Sequence, residues 1–536
     1  MKNKHEKWLP HLIDSIPNEA KRNRISMYTI ALEGWRRGLK LNFCSYINNN
    51  KLDIKYSLSG SDEVHHFEGS GGDLNTDEAV KTCDDKTLTK IQLKNAKVPT
   101  PNGKSFDRNT NSSEIINYAQ SLQFPLVVKP TYGSGGKGVV SNIKDNKMLK
   151  EALIYVRDKL GSKTLIVEEF IPGEEVRVFI IGEKVLGAVK RIPANVIGDG
   201  LNTISKLIEL KNEFRKSIPH LCFRPINIDS TVKKTIQAAG YTLDSVPKKG
   251  ERIYLKNTSN ISTGGDPIDV TAKITVEQKK TVINAVNSIP GLVHCGVDMV
   301  INKEDTKPII LELNTRPGLG SHLFPVEGKA RDIPKAIIDL YFPNTKKVST
   351  ENSNVYFDFK KIKDALIDGS TSKIEVFPAI NTKLIAKKYL INTDIEAIEY
   401  YQWLKKRVLN QNLNGFIKQI DEENIEIVIA GKTEKEIKSF FDLINSKRFN
   451  SRIFNITEDH WKSPVKLGFE LKNDNDLKSQ TELENEIEDT KREIRHIEKE
   501  TKHLNHSINM IQKSSVWKLT FPLRNIVGKI RKNKAQ

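Results

Sequence analysis

Residues 127–139 read VVKPTYGSGGKGV, so Lys129 ends an apolar run and a glycine-rich loop follows it. Gly133, Gly135, Gly136 and Gly138 would let backbone N–H groups approach phosphate oxygens closely, while Ser134 and Lys137 add a hydroxyl and a positive charge. This is not a Walker loop, because no GKS or GKT follows a GxxxxG. Downstream, IVEEFIPGEEVRVFI gathers Glu168, Glu169, Glu174 and Glu175 around Pro172 and Gly173, supplying acceptors for an adenine amine and ribose hydroxyls. A third stretch, GVDMVI followed by PIILELNTRPG, carries Asp298, Glu312 and Asn314 at strand ends. Glu312 and Asn314 are two apart on a strand and share a face. Hard oxygen donors of this kind suit magnesium bridging ATP phosphates. Each feature alone has a plain reading as a mobile turn, surface charge or solvated strand end. The three in this order point to phosphate chemistry on a nucleotide. No GxSxG or HExxH is present, so neither nucleophilic nor zinc hydrolysis is indicated.

The elements that must position these groups are mixed helix and strand. FPLVVKP, TLIVEEFI, VRVFIIG, VLGAVKRI, HCGVDMVI and PIILELNT read as strands, and MLKEALIYVRDKL and QKKTVINAVNSI as amphipathic helices. Only Glu183 and Lys184 separate VRVFIIG from VLGAVKRI, which predicts a hairpin and an antiparallel sheet. The polar stretch 343–355 reads as a linker, and residues 356–465 as a second small unit of helix, hairpin and helix.

The order of lysine, glycine-rich loop, EEFIPG, Asp and ELNTRPG resembles the ATP-grasp superfamily of carboxylate–amine and carboxylate–thiol ligases, over residues 83–342. Within it, RVFIIGEKVLGAVKRIPANVIGDGLNTISKLIELKN, LDSVPKKGERIYL and NISTGGDPIDVT are most similar to the ligase region of cyanophycin synthetases and bifunctional glutathione synthetases. The resemblance implies that Lys86 and Lys129 contact ATP phosphates and that Gly133, Ser134, Gly135, Gly136 and Gly138 form a mobile lid. Glu168 would accept from the adenine amine, with Glu169, Phe170 and Ile171 at the hinge and Glu175 on the ribose. Asp298, Glu312 and Asn314 would hold magnesium or manganese. Arg316 would bind a carboxylate or acyl phosphate, with Lys190 and Arg191 supporting phosphate charge and Arg177 a further candidate. The implied reaction is attack of a carboxylate on the γ-phosphate of ATP, then displacement of phosphate by an amine.

Residues 384–450 resemble an acylphosphatase, through LNGFIKQIDEENIEIVIAGKTEKEIKSFFDLI. That family has a glycine-rich phosphate loop ending in arginine and an asparagine on the next strand. Here the loop reads INTDIEAIEYY, Tyr401 takes the arginine position and Gln419 the asparagine position. Acids in a phosphate cradle repel the substrate, so a catalytically inactive ferredoxin-like unit is expected.

The last part changes character. Leu483, Ile487, Thr490, Ile494, Ile497, Thr501, Leu504, Ile508 and Ile511 alternate four-three spacing, which predicts a coiled coil over 474–513 and hence self-association or a helical partner. The basic tail 514–536, with Trp517 and Phe521, resembles short terminal segments of enzymes of surface-polysaccharide assembly and could rest on an acidic membrane. The 85 basic and 67 acidic residues leave the chain at +18, which favours anionic partners, though no nucleic-acid module is present. The four cysteines form no CxxC, and no apolar run approaches the roughly 18 residues of a membrane span. The start lacks a signal-peptide core, so the expected location is the cytoplasm, with peripheral contact at the inner membrane face.

The expected fold class is therefore α+β: residues 1–82 as an N-terminal subdomain, 83–342 as an ATP-grasp domain, then the acylphosphatase-like unit and a coiled-coil helix. The expected function is MgATP-dependent ligation of a carboxylate to an amine, on a small molecule or a surface polymer. The alternatives are a nucleotide-binding assembly or regulatory protein, and an acylphosphatase, which the replaced site residues disfavour.

Overall fold

A computed structural model describes residues 8–21, 23–48, 51–133, 138–302, 307–351, 353–380, 382–444 and 452–472. The expected coiled coil and tail, and Ser134, Gly135 and Gly136 of the glycine loop, lie outside the described residues.

The candidate site lies between two antiparallel sheets. The smaller has the order Gly103–Asp107, Thr164–Glu169, Leu126–Pro130, Val140–Ile143. Helices Ser112–Leu122 and Asn146–Ile154 cover it, and Ile115, Leu149, Leu126, Val128 and Val167 fill the layer between. The larger has the order Asp266–Asp269, Lys184–Ile192, Glu174–Ile181, His294–Ile301, Pro308–Asn314. The expected hairpin is present, with Lys184 opposite Ile181.

Strand alternation sorts the larger sheet into two chemistries. Val176, Val178, Ile180, Cys295, Val297 and Met299 face a core closed by the helix Val276–Asn287. Glu175, Arg177 and Asp298 face the cleft. Between the strands ending at Ile192 and beginning at Asp266, the chain builds a small lobe from the helices Ile204–Lys216 and Ser230–Ala238. Lys211 (2.5 Å) and Arg215 (2.9 Å) tie that lobe to the buried Asp266.

The N-terminal layer differs from expectation. Its helix Ile25–Arg36 is buried along its whole length and packs on the helix Ile333–Tyr341 and the strands Lys40–Asn48 and Lys51–Ser59. Residues expected to be linker or second unit complete this layer. Lys373–Glu375 pairs with Asn42–Cys44 as an edge strand. Phe357 and Phe359 join Tyr28, Trp35 and Phe43 in one aromatic cluster. Thr350, inside the polar stretch read as a linker, is buried and donates to Glu33 at 2.7 Å. Polar composition alone did not reveal that partner.

Within the second unit, expected over 356–465, the sheet runs from 385 to 472 in the order Ile453–His460, Ile385–Thr393, Asn424–Gly431, Asn414–Gln419, Phe469–Lys472. Helices Ala397–Asn410 and Glu434–Ile444 cover one face around Tyr400, Leu404 and Phe440. From the other face Ala386, Phe416, Val428 and Ala430 enter the same core as the N-terminal layer. Val355 and Tyr356 also pair in parallel with Val465 and Lys466. The unit is thus welded to the body. Among the described residues no helix is long and apolar enough to cross a membrane.

Candidate active site

The cleft between the two sheets encloses about 260 Å³ and is lined from both sides. The helix Lys86–Asn95, which packs through Leu93 into the core of the larger sheet, starts at Asp85, whose carboxylate accepts from the N–H groups of Thr87 and Leu88. Tyr132 donates to the same carboxylate at 2.6 Å. Lys86 Nζ donates to Gly133 O at 2.7 Å, and its backbone N–H to Thr131 O, which ties the helix to the start of the glycine loop. Gly133 (φ +133°) and Gly138 (φ +78°) occupy backbone conformations that glycine adopts without strain, and a side chain at 138 would strike Pro130.

Lys129 ends its strand inside the cleft, but it is not alone. The buried Glu168 takes Lys129 at 2.5 Å on one oxygen and Lys90 at 2.5 Å on the other. These two lysines hold the Glu168 carboxyl below its ordinary range against the opposing cost of burial. Glu168 lines the cleft, as the role expected of it requires, and each of its oxygens already accepts from one lysine. No motif in the sequence singles out Lys90. It lies one helical turn after Lys86 in DKTLTK, a spacing that places both on one side of the helix. Glu169 also lines the cleft, and its carboxylate accepts from the Asn102 backbone N–H at 3.0 Å and side-chain amide at 3.1 Å. At the hinge, the Phe170 N–H is already given to Pro125 O at 3.1 Å, while Phe170 and Ile171 line the cleft wall.

On the larger sheet, Asp298 and Glu312 are register partners on neighbouring strands. Arg177, from the strand on the other side, binds Asp298 through two hydrogen bonds of 2.6 and 2.5 Å, and Arg191 stands 3.5 Å away. The guanidinium groups pull the Asp298 carboxyl well below the usual carboxylate range, although burial opposes them. Burial, and then the charge of Asp298, push Glu312 upward. Glu175 is also raised, chiefly by burial.

Lys190 does not join this group. It pairs with Glu174 at 2.6 Å, and the adjacent residue, Arg191, lines the cleft instead. Neighbours on a strand face opposite sides, so only one of the two can enter the site. Arg316 stands toward the N-terminal layer, held by Glu68 at 2.8 Å and Asp84 at 3.2 Å. Asn314 Oδ1 accepts from the Arg316 backbone N–H at 2.9 Å, which fixes the turn after the strand.

Asp298 and Glu312 fit a divalent cation: two oxygen-donor carboxylates face one cleft, and a cation would relieve the repulsion that raises Glu312. Among the described residues no group of three or more His, Cys, Asp or Glu could hold a metal by itself. The remaining oxygens would have to come from Asn314 and from nucleotide phosphates.

In the second unit, the helix start that would cradle an anion is closed from within. Gln419 Oε1 accepts from the Ala397 N–H at 2.6 Å, and Arg452 is held by Asp394 at 2.9 Å in the same loop. Tyr401 stacks on Phe469 with ring centroids 5.8 Å apart.

Comparison with known proteins agrees with this architecture. Residues 83–199 match the RimK-like ATP-grasp domain, and residues 387–471 match the acylphosphatase family. Residues 83–199 are thus similar to one family and residues 387–471 to the other. Over 273 residues, 49% of its length, it is 34% identical to a cyanophycin synthetase of Crocosphaera subtropica, of which the match covers 31%. Over 338 residues, 59% of its length, it is 30% identical to the glutathione biosynthesis bifunctional protein GshAB of Clostridium perfringens, of which the match covers 41%. Among solved structures, a bifunctional glutathione synthetase from Pasteurella multocida aligns with a TM-score of 0.43 at 24% identity, covering 54% of this chain and 40% of that one. The chain thus spans less than half the length of these relatives.

Proposed function

We propose that this chain is an ATP- and magnesium-dependent ligase that joins a carboxylate to an amine through an acyl phosphate. The observation that carries this reading is the meeting in one cleft of the phosphate-facing lysines Lys86 and Lys129 with the Asp298–Glu312 pair and its two arginines.

Lys86 and Lys129 would bind the phosphates, and Glu175 the ribose. Asp298, Glu312 and Asn314 would hold magnesium or manganese, which when bound neutralises phosphate charge. Arg177 holds Asp298 in its ionised form, and Arg191 adds positive charge to the same wall. Arg316 would meet a substrate carboxylate by exchanging one of its present partners, Glu68 or Asp84. The glycine loop, anchored through Gly133 to Lys86, would close over the phosphates and keep water from the intermediate.

Phosphate release from MgATP against a panel of amino acids, dipeptides and uronic-acid sugars, with Glu312→Ala as control, tests the reading. Release that requires both a carboxylate and an amine, and is lost in the control, is expected. Release that depends on neither and persists in the control would overturn it.

The basic tail and the repeating aliphatic seam support a self-associating enzyme at the acidic inner face of a membrane, acting on a surface polymer or its precursor. Deletion of 474–536 should then move the protein out of the membrane fraction; unchanged recovery there would remove this part of the reading.

A further inference from the structure

Lys90 does not line the cleft. It lies behind the cleft wall, 9% exposed, with Nζ donating to Pro101 O at 2.9 Å and to Glu168 Oε2 at 2.5 Å. The other carboxylate oxygen of Glu168 binds Lys129, and Glu168 and Lys129 are 3% and 8% exposed. The cluster is built into the backbone. Gly103 pairs with Glu168 across two strands, and a Cβ there would stand 2.5 Å from the Glu168 Cβ. Glycine therefore leaves the room in which Glu168 meets both lysines.

We propose, on the reading of the cleft as an ATP site, that Lys90 is a positioning residue: it prevents Glu168 from neutralising Lys129, so that Lys129 is held in place with its positive charge available to the nucleotide phosphates. Glu168 and Lys129 alone would form a neutral pair. A phosphate would have to break that pair or approach a site with no net attraction. With Lys90 present the trio of two lysines and one carboxylate carries a net +1, in a setting where charges are weakly screened. Glu168 then fixes the Lys129 ammonium without cancelling it. The same helix sends Lys86 to the glycine loop one turn earlier, so one element sets both phosphate-facing lysines.

The test is phosphate selectivity, the ratio of the adenosine Kd to the ATP Kd, measured on the full chain by calorimetry. Four proteins are compared: wild type, Lys90→Met, Glu168→Gln and the double variant. Their trios carry net charges of +1, 0, +2 and +1. Selectivity is expected to fall about ten-fold in Lys90→Met, to return to within about three-fold of wild type in the double variant, and to be no lower than wild type in Glu168→Gln. Adenosine affinity should stay level between wild type and Lys90→Met. A purely structural lysine would move the melting temperature and leave the ratio unchanged. An unchanged ratio in Lys90→Met, or a double variant as poor as Lys90→Met, overturns the proposal. If Lys90→Met does not fold, the fall from Glu168→Gln to the double variant decides, since both lack the buried carboxylate. Wild type that binds neither ligand overturns the ATP reading itself. Wild type that prefers ATP over a flat variant series overturns only the role of Lys90.

Discussion

Asp298 and Glu312 stand opposite one another on neighbouring antiparallel strands, two acids facing one cleft, and only Asp298 has an arginine bound to it through two hydrogen bonds. Burial, and then the charge of Asp298, raise the Glu312 carboxyl.

Glu312→Gln should separate stability from activity. The folded-state pKa of Glu312 is raised by burial and by Asp298. Its contribution to stability is present below its unfolded pKa and is lost as pH rises through its folded value. Removing the charge should therefore raise the melting temperature of the unliganded chain at neutral pH, with the gain disappearing toward the unfolded carboxylate range. MgATP turnover should fall about 100-fold or more. Thermal scans across pH beside an activity assay measure both.

Arg177→Met should act in the opposite sense on stability. It removes from the Asp298 carboxylate its two short hydrogen bonds and its nearest positive charge, leaving the longer contact to Arg191 as its arginine partner. The expected cost is about 3 kcal/mol, near the lower end for breaking a buried pair, because about a sixth of each side chain reaches solvent. Denaturant unfolding at neutral pH reads it. The loss should shrink only at strongly acidic pH, because the depressed Asp298 loses its charge there.

Lys190 and Arg191 give a paired prediction. Lys190→Ala should keep turnover within about two-fold, as expected for a surface site outside the cleft, whereas Arg191→Ala should lower it about ten-fold or more. Steady-state rates of the two variants check this.

These neighbours also show how far the sequence could be read. The hairpin was legible from two apolar runs separated by Glu183 and Lys184, and the sharing of one face by Glu312 and Asn314 followed from strand parity. Which of Lys190 and Arg191 faces the cleft was not legible. Parity requires opposite faces but does not set the phase, and the strand carries a register shift between Val185 and Gly187. Glu168 looked like a free acceptor because its two partners come from a helix about eighty residues away and from the adjacent strand. Phe357 and Phe359 were assigned to the second unit by proximity in sequence, although their aromatic partners lie near the start of the chain.

Phe416→Ala tests the joint between the units. Phe416 extends from the acylphosphatase-like sheet into the N-terminal core and is 5% exposed. Its removal should cost about 3 kcal/mol and lower the unfolding of the N-terminal layer and the second unit together. Loss confined to the second unit would show that the two cores are independent.

The acylphosphatase-like unit should not hydrolyse a small acyl phosphate. Gln419 occupies the Ala397 N–H that an anion would need, and Asp394, Glu396 and Glu399 surround the helix start. A colorimetric assay on the full chain without ATP is expected to show no turnover above the buffer rate.

The central claim, transfer of the ATP γ-phosphoryl group to a carboxylate, is tested most directly by isotope transfer. A carboxylate labelled with oxygen-18 is supplied with MgATP and the amine that supports turnover, and the released phosphate is analysed by mass. One labelled oxygen in each phosphate is the expected result, because the carboxylate oxygen leaves with phosphorus when the amine attacks. Unlabelled phosphate, formed at the same rate as amide product, would contradict the acyl-phosphate route.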